Sequence, residues 1–186
     1  MELYINMPIK KKKIFLKYRV TFLEMDSRPR YLYPPLPIKN VLLLESFDIP
    51  LWYFLALYKE IGYRYEWTDI YKQSSKNLEK FIQNKNVNFF SLFHKGSPIG
   101  FFILDYRILK VCELSYIGLT NKYIGKGLGK YIFQTAILTA WDKREIKKLK
   151  VNTCSLDHRA ALPLYQKLGF KPVYFKDKKR MKTFFN

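Results

Sequence analysis

The stretch YIGKGLGKYI, residues 123–132, places three of the chain's eight glycines within five positions. Before it, VCELSYIGLT (111–120) has the composition of a strand. After it, LGKYIFQTAILTAWDK (128–143) is built of good helix formers, with Leu128, Ile132, Thr135, Ala136 and Thr139 along one face. A strand that turns through glycines into a long helix aims several backbone N–H groups and the positive end of the helix dipole at one point, where an anion is held. Glycine at 125, 127 and 129 keeps side chains from blocking a phosphate or striking the strand behind. The plainer alternative is a tight strand-to-helix turn with no ligand.

Two phosphate-binding motifs fail on spacing. A dinucleotide fingerprint starting at Gly125 needs glycine at 130, where Lys130 stands, and a parallel βαβ opening is not expected here. A Walker loop needs Ser or Thr after Gly129 and Lys130, but Tyr131 follows, and its first glycine would fall on Ile124.

The rest of the chain gives a mixed α/β order with an antiparallel front half. YRVTFLEM (18–25) has strand composition, and RPRYLYPPLP (28–37), with four prolines, is a stiff connector. VLLLESF (41–47) is expected to be a buried strand, and Pro50 opens a helix over LWYFLALYKEIG (51–62) that Gly62 stops. A loop, YRYEWTD (63–69), leads to a serine-capped helix in SSKNLEKFIQN (74–84). NVNFFSLF (86–93) and PIGFFILDY (98–106) form a hairpin through HKGS, with His94 exposed in its turn. LKVNTCS (149–155) is a strand, and HRAALPLYQKLG (158–169) a helix ended by Gly169. KPVYF (171–175) and RMKTFF (180–185) are expected to close the sheet as a last pair.

A length of 186 residues suits a single domain over 1–186, with an extended N-terminal segment (1–40) and a motif-bearing core (86–175). With 48% hydrophobic and 26% charged residues the chain is globular rather than disordered, collagen-like or a disulfide scaffold. The 15 Phe, 15 Tyr and 3 Trp are first of all packing surface. The net charge of +19 attracts polyanions, and nucleic acid, a membrane surface, a phosphorylated cofactor or a plain lysine bias all account for it. Lys10 to Lys13 form the one strong run, expected to be a solvated leader. Cys112 and Cys154 form no CxxC pair, which indicates buried reduced thiols and no metal site. IFLKYRVTFLEM is broken by Lys17 and Arg19 and has no small-residue cleavage site, so no signal peptide is expected. No stretch reaches the roughly twenty apolar residues of a membrane helix, and a cytoplasmic protein without membrane partner is expected.

ELSYIGLTNKYIGKGLGKYIFQTAILTAW (113–141) and VNTCSLDHRAALPLYQKLGF (151–170) together resemble motifs A and B of the GNAT superfamily of acyl-CoA-dependent N-acetyltransferases, over roughly 86–175. VTFLEM and YEWTD resemble a bacterial branch of it. The resemblance implies a GNAT fold: a mixed central sheet of about six or seven strands, splayed in the middle, flanked by about four helices. It also implies acetyl-CoA as cofactor, an amine acceptor attacking directly in a ternary complex, and a monomer or homodimer. Gly127 and Gly129 match the glycines of the superfamily's Q/R-x-x-G-x-G/A loop, with Ile124 departing at the Q/R position. The implied pyrophosphate site is the backbone from Ile124 and Gly125 through Lys126, Gly127, Leu128 and Gly129 to Lys130. Backbone around Ile117, Gly118 and Leu119 is implied to meet the thioester carbonyl.

Transfer of acetyl from a thioester to an amine needs a deprotonated nitrogen, a stabilised carbonyl oxygen and a tolerated thiolate. Glu113, fourteen residues before Gly127, matches the offset of the histone acetyltransferase glutamate; a strand glutamate paired with lysine is the alternative. Tyr165 in LYQKLGF matches the tyrosine that points at the leaving sulfur. His158, where the family often has asparagine, either lines the pantetheine arm or caps the next helix, with Asp157 beside it. The acceptor pocket is implied along YRYEWTD: Glu66 and Asp69 to attract a cation, Tyr65 and Trp67 to pack its carbon chain, with Tyr116 alongside; a loop held by aromatic packing is the alternative. Nucleic-acid binding, through KKKK, KREIKKLK and KDKKRMK, and a CoA-binding sensor without turnover are the competing functions.

Overall fold

A computed structural model describes residues 14–182; the Lys10 to Lys13 run lies outside the described residues. The strands are β1 (Phe15–Met25), β2 (Val41–Ser46), β3 (Val87–His94), β4 (Ser97–Asp105), β5 (Val111–Leu119), β6 (Lys148–Cys154) and β7 (Lys171–Met181). The helices are α1 (Leu51–Gly62), α2 (Ser75–Ile82), α3 (Leu128–Lys143) and α4 (Ala161–Lys167). All seven strands form one sheet in the order β2-β3-β4-β5-β6-β1-β7. Every pairing is antiparallel except β5 with β6, so the mixed sheet and antiparallel front half agree with the sequence.

The apolar runs FFSLF and FFILD are strands covered on both faces, which removes the need for polar alternation. Phe89 stacks on Phe101 at 5.3 Å in the core beneath α1 and α2, and their neighbours Phe90 and Phe102 stack at 4.5 Å in the core beneath α3. The β3–β4 hairpin turns through Lys95 and Gly96, both at positive φ, as a two-residue hairpin requires. Ser74 caps α2, its Oγ accepting from Asn77 N at 3.3 Å.

Several expectations are corrected. β5 and β6 are parallel and joined through α3, so a βαβ unit does open at the glycines; it was hidden because a parallel pairing leaves no local turn signal. The C-terminal pair is instead one strand: β7 runs along β1, from Lys171 opposite Glu24 to Met181 opposite Phe15, with one register shift between Phe22 and Leu23, and residues 183–185 lie outside the described residues. β2 is an edge strand with Leu42 and Leu44 exposed rather than buried. Gly62 ends α1 in right-handed conformation (φ −82°); an added Cβ would lie 2.5 Å from Trp67 Cβ, so packing is what requires glycine there. His94 is half-buried at the end of β3, its Nδ1 3.0 Å from the Tyr123 hydroxyl. Cys112 is buried, whereas Cys154 is only partly so.

The proline-rich connector crosses α3. Arg28 forms a double hydrogen bond with Asp142, Tyr31 OH donates to Leu168 O at 3.2 Å, and Gln134 Nε2 donates to Leu32 O at 2.9 Å. This covering buries α3 on more than one face, which a single apolar stripe does not anticipate. Among the described residues no helix is long and apolar enough to cross a membrane.

Candidate active site

β5 and β6 pair only from Val111 opposite Lys148 to Leu114 opposite Val151. Beyond that row β5 stays with β4 and β6 with β1, so the two strands part. A bulge at Ser115 separates the pairs Ile103–Tyr116 and Leu104–Leu114. The extra residue lets Glu113 and Tyr116, three apart, face the same side as α1 and α2. Thr120 N–H donates to Ile99 O at 2.8 Å, so by strand alternation the amides of Ile117 and Leu119 turn away from β4 into the opening. Gly118 answers a close approach: a Cβ there would lie 2.5 Å from Ile61 Cγ2 of α1.

The opening leads into a cleft of about 1110 Å³ that gathers nearly all the sequence-selected residues. Glu66, Trp67, Asp69, Glu113, Tyr116, Ile117, Gly118, Leu119, Ile124, Gly125, Gly127, Gly129, Lys130, His158 and Tyr165 all line it. Lys126 and Leu128 do not: Lys126 Nζ lies 5.0 Å over the Tyr123 ring, and the Leu128 side chain is fully buried in the core, leaving only its backbone at the loop.

At the glycine turn, Ile124 N–H is taken by Asn121 O at 3.2 Å, and the first amide of α3 to find a carbonyl is Tyr131, bonded to Gly127 O at 3.3 Å. Between them the six amides from Gly125 to Lys130 donate to no carbonyl among the described residues. Among the described residues no side chain caps α3, and its first turn holds no acidic residue, so its positive end is open. Gly125 and Gly127 sit at φ 82° and 79°, which side chains rarely adopt. The strand behind is not what excludes side chains: a Cβ at Gly125 or Gly129 meets open space, and one at Gly127 meets Pro37 of the connector at 3.1 Å. These free amides and open surroundings fit a diphosphate.

Tyr165 is buried against Phe133 and Phe170, at ring distances of 5.0 and 5.6 Å, with its hydroxyl unbonded among the described residues. Burial, and secondarily Asp157, pushes its pKa up, keeping the phenol protonated. His158 Nδ1 accepts from Ala160 N at 3.2 Å, so it caps the turn before α4 while its ring, edge-on to Tyr65, also lines the cleft. Glu113 accepts a single long bond, from Asn152 Nδ2 at 3.5 Å. Burial, reinforced by Asp105, raises its pKa above the ordinary carboxylate value, against the pull of Lys150 and Arg107.

The end of the cleft lined by YRYEWTD differs from the picture drawn by composition. Asp69 accepts from the hydroxyls of Tyr58 and Tyr116, the latter at 2.5 Å, so it braces two tyrosines instead of standing open to a cation. Burial first, then Asp69, drives the pKa of both tyrosines upward. Glu66 takes part in an ion pair with Arg180 at 3.6 Å, and Arg180 also donates to Thr68 Oγ1 and Glu66 O. Trp67 Nε1 donates to Asp157 Oδ1 at 3.0 Å, and Asp157 Oδ2 accepts from Thr153 Oγ1 and Cys154 N, each at 2.7 Å. Tyr58, Arg180 and the bracing role of Asp157 were not legible in the sequence, since each bond joins elements far apart along the chain. Among the described residues no cluster of potential metal ligands occurs.

A model of the acetyltransferase (GNAT) family matches residues 51–170, and the chain belongs to that family. Similar solved structures include a GCN5-related N-acetyltransferase from Kribbella flavida (TM-score 0.59, 16% identity, 88% of this chain and 58% of that one). Others are an IAA acetyltransferase from Bacillus cereus (0.51, 24%, 70% and 77%) and a GNAT family acetyltransferase from Elizabethkingia anophelis with acetyl-CoA bound (0.52, 20%, 72% and 78%). The chain spans only 58% and 51% of the Kribbella protein and of a relative from Sphaerobacter thermophilus. These likenesses establish a GNAT-like fold. No curated protein sequence matches the chain.

Proposed function

We propose that the protein is an acetyl-CoA-dependent N-acetyltransferase acting on a primary amine by direct attack in a ternary complex. The observation that carries this reading is the run of six amides, Gly125 to Lys130, that donate to no carbonyl among the described residues, at the open start of α3 beside the parted strands. Those amides would hold the diphosphate, with Lys130 on the cleft wall adding positive charge. Bound there, acetyl-CoA supplies an activated acetyl thioester. The amides of Ile117 and Leu119 face the opening, where they donate to the carbonyl oxygen as it gains charge. Glu113 accepts the proton of the amine, directly or through one water. Tyr165, protonated by its surroundings, donates to the departing sulfur.

The experiment is a thiol-release assay with acetyl-CoA across a panel of amines. Turnover dependent on the amine is expected, with Tyr165→Phe lowering kcat while cofactor affinity stays within about two-fold. Because Glu113 works as a base only when ionised, activity falls as pH drops through its raised pKa, so the acid limb lies above the usual carboxylate range. Glu113→Gln should abolish that limb and cost about 100-fold in kcat/KM. An amine-independent rate, or coenzyme A bound without turnover on any amine, rejects the enzymatic reading and favours a sensor.

A further inference from the structure

Every carboxylate on the cleft wall but one is answered by the protein itself. Asp69 accepts from two tyrosines, and Asp157 from Trp67, Thr153 and the Cys154 amide. Glu66 pairs with Arg180, and Asp105 is clamped by Arg107 through Nε and Nη2 at 2.7–3.0 Å. Glu113 is the exception, with only the long bond from Asn152 and no ion pair among the described residues.

The cations are arranged differently. Arg107 lies 4.9 Å over the Phe81 ring, which together with Asp105 fixes the plane of its guanidinium. Its Nη1 has no partner among the described residues, and the side chain is 48% exposed. Asp105 and Glu113 are cross-strand partners, so Arg107, clamped on Asp105, lies near the one open carboxylate, close enough for each to shift the other's pKa. Lys72 and Lys178 line the same cleft without an ion pair among the described residues.

Resting on the acetyl-transfer reading above, we propose that the acceptor is an amine carrying a carboxylate or phosphate on the same molecule, whose anion docks on Arg107 while its amine meets Glu113. An amine of this class brings one positive and at least one negative group, matching one open carboxylate beside several open cations. A polyamine finds a single open carboxylate and a rim that repels it. In the transfer, the amine nitrogen bonds to the thioester carbonyl carbon and the carbon–sulfur bond breaks. The ammonium gives one proton to solvent before attack, the nitrogen's second proton passes to Glu113 as the amide forms, and the sulfur leaves as thiolate to take a proton from Tyr165.

Two measurements on the full chain test this. Chemical-shift titrations without cofactor, and thiol-release kinetics with acetyl-CoA, compare an amino acid, a short peptide and an aminoalkyl phosphate with the matching amides and amino alcohols. Arg107→Gln should weaken Kd and KM for the anionic amines about ten-fold or more relative to their neutral counterparts, with Arg107→Lys recovering part of the difference. Whichever arm shifts names the anion. Because Arg107→Gln strips the partner from Asp105, whose side chain is 10% exposed, the double variant with Asp105→Asn repeats the comparison without a stranded charge. Equal losses for both classes, or tighter binding of polyamines than of anionic amines, overturns the proposal. If titration shows the discrimination but acetyl-CoA fails to bind or turn over, the transferase reading falls while the amine site stands.

Discussion

The two ends of the cleft are built on opposite plans. At the glycine turn the groups on offer are the backbone amides of six consecutive residues, none of which donates to a carbonyl among the described residues. At the end proposed for the acceptor they are side chains from α1, the loop after it, β5, the turn after β6 and β7, and the fold bonds nearly all of them to each other. One end is an unsatisfied site waiting for a partner, and the other is a satisfied frame around one open carboxylate and an open guanidinium edge. On the proposed function, the vacancy in bonding is where the cofactor would be held, and the completed network is what would position the acceptor.

Three changes should separate these plans, in falling order of effect. Gly127→Val places a β-branched residue at φ 79° with its Cβ 3.1 Å from Pro37, so the turn must reshape and its amides diverge. Calorimetry should show coenzyme A affinity down by about 100-fold or more, and an unchanged affinity would mean the turn is not the grip. Asp69→Asn breaks the acceptor frame instead: one tyrosine hydroxyl loses its partner, costing about 1–2 kcal/mol, which lowers Tm by about 2–8 °C for a chain of this size. Coenzyme A affinity should move less than about two-fold in that variant, and a larger shift would join the two ends into one unit.

The smallest effect concerns Glu113. Its folded pKa stands above the unfolded one, so the stability tied to it is complete below the unfolded value and is lost as pH rises through the folded value. At neutral pH, Glu113→Gln therefore removes a charge the fold disfavours, and Tm should rise by about 1–3 °C. A fall in Tm would show that Glu113 is held by the protein and is not open to the amine.

The same contrast explains what the sequence made legible. The glycine turn is contiguous, and its geometry follows from residue type and from its place between a strand and a helix. Helix α2 with its Ser74 cap and the Lys95–Gly96 hairpin are also local, and sequence and structure agree on them. The acceptor frame is non-local: Arg180 reaches Thr68 across 112 positions, and Trp67 reaches Asp157 across 90. Composition could mark Glu66 and Asp69 as acidic but could not show them already bonded. The lysines of β7 break any apolar pattern, so the sequence shows two short apolar pieces where the structure has one strand, which as an edge strand needs no such pattern.

The central claim is that backbone donors at the start of α3 grip a diphosphate. Calorimetric titration of coenzyme A against pantetheine, which shares the thiol arm but lacks the diphosphate, tests it most directly. The account predicts that coenzyme A binds and that pantetheine binds at least about 100-fold more weakly, a gap of roughly 2.7 kcal/mol. Equal affinities, or no heat from coenzyme A at all, would contradict it.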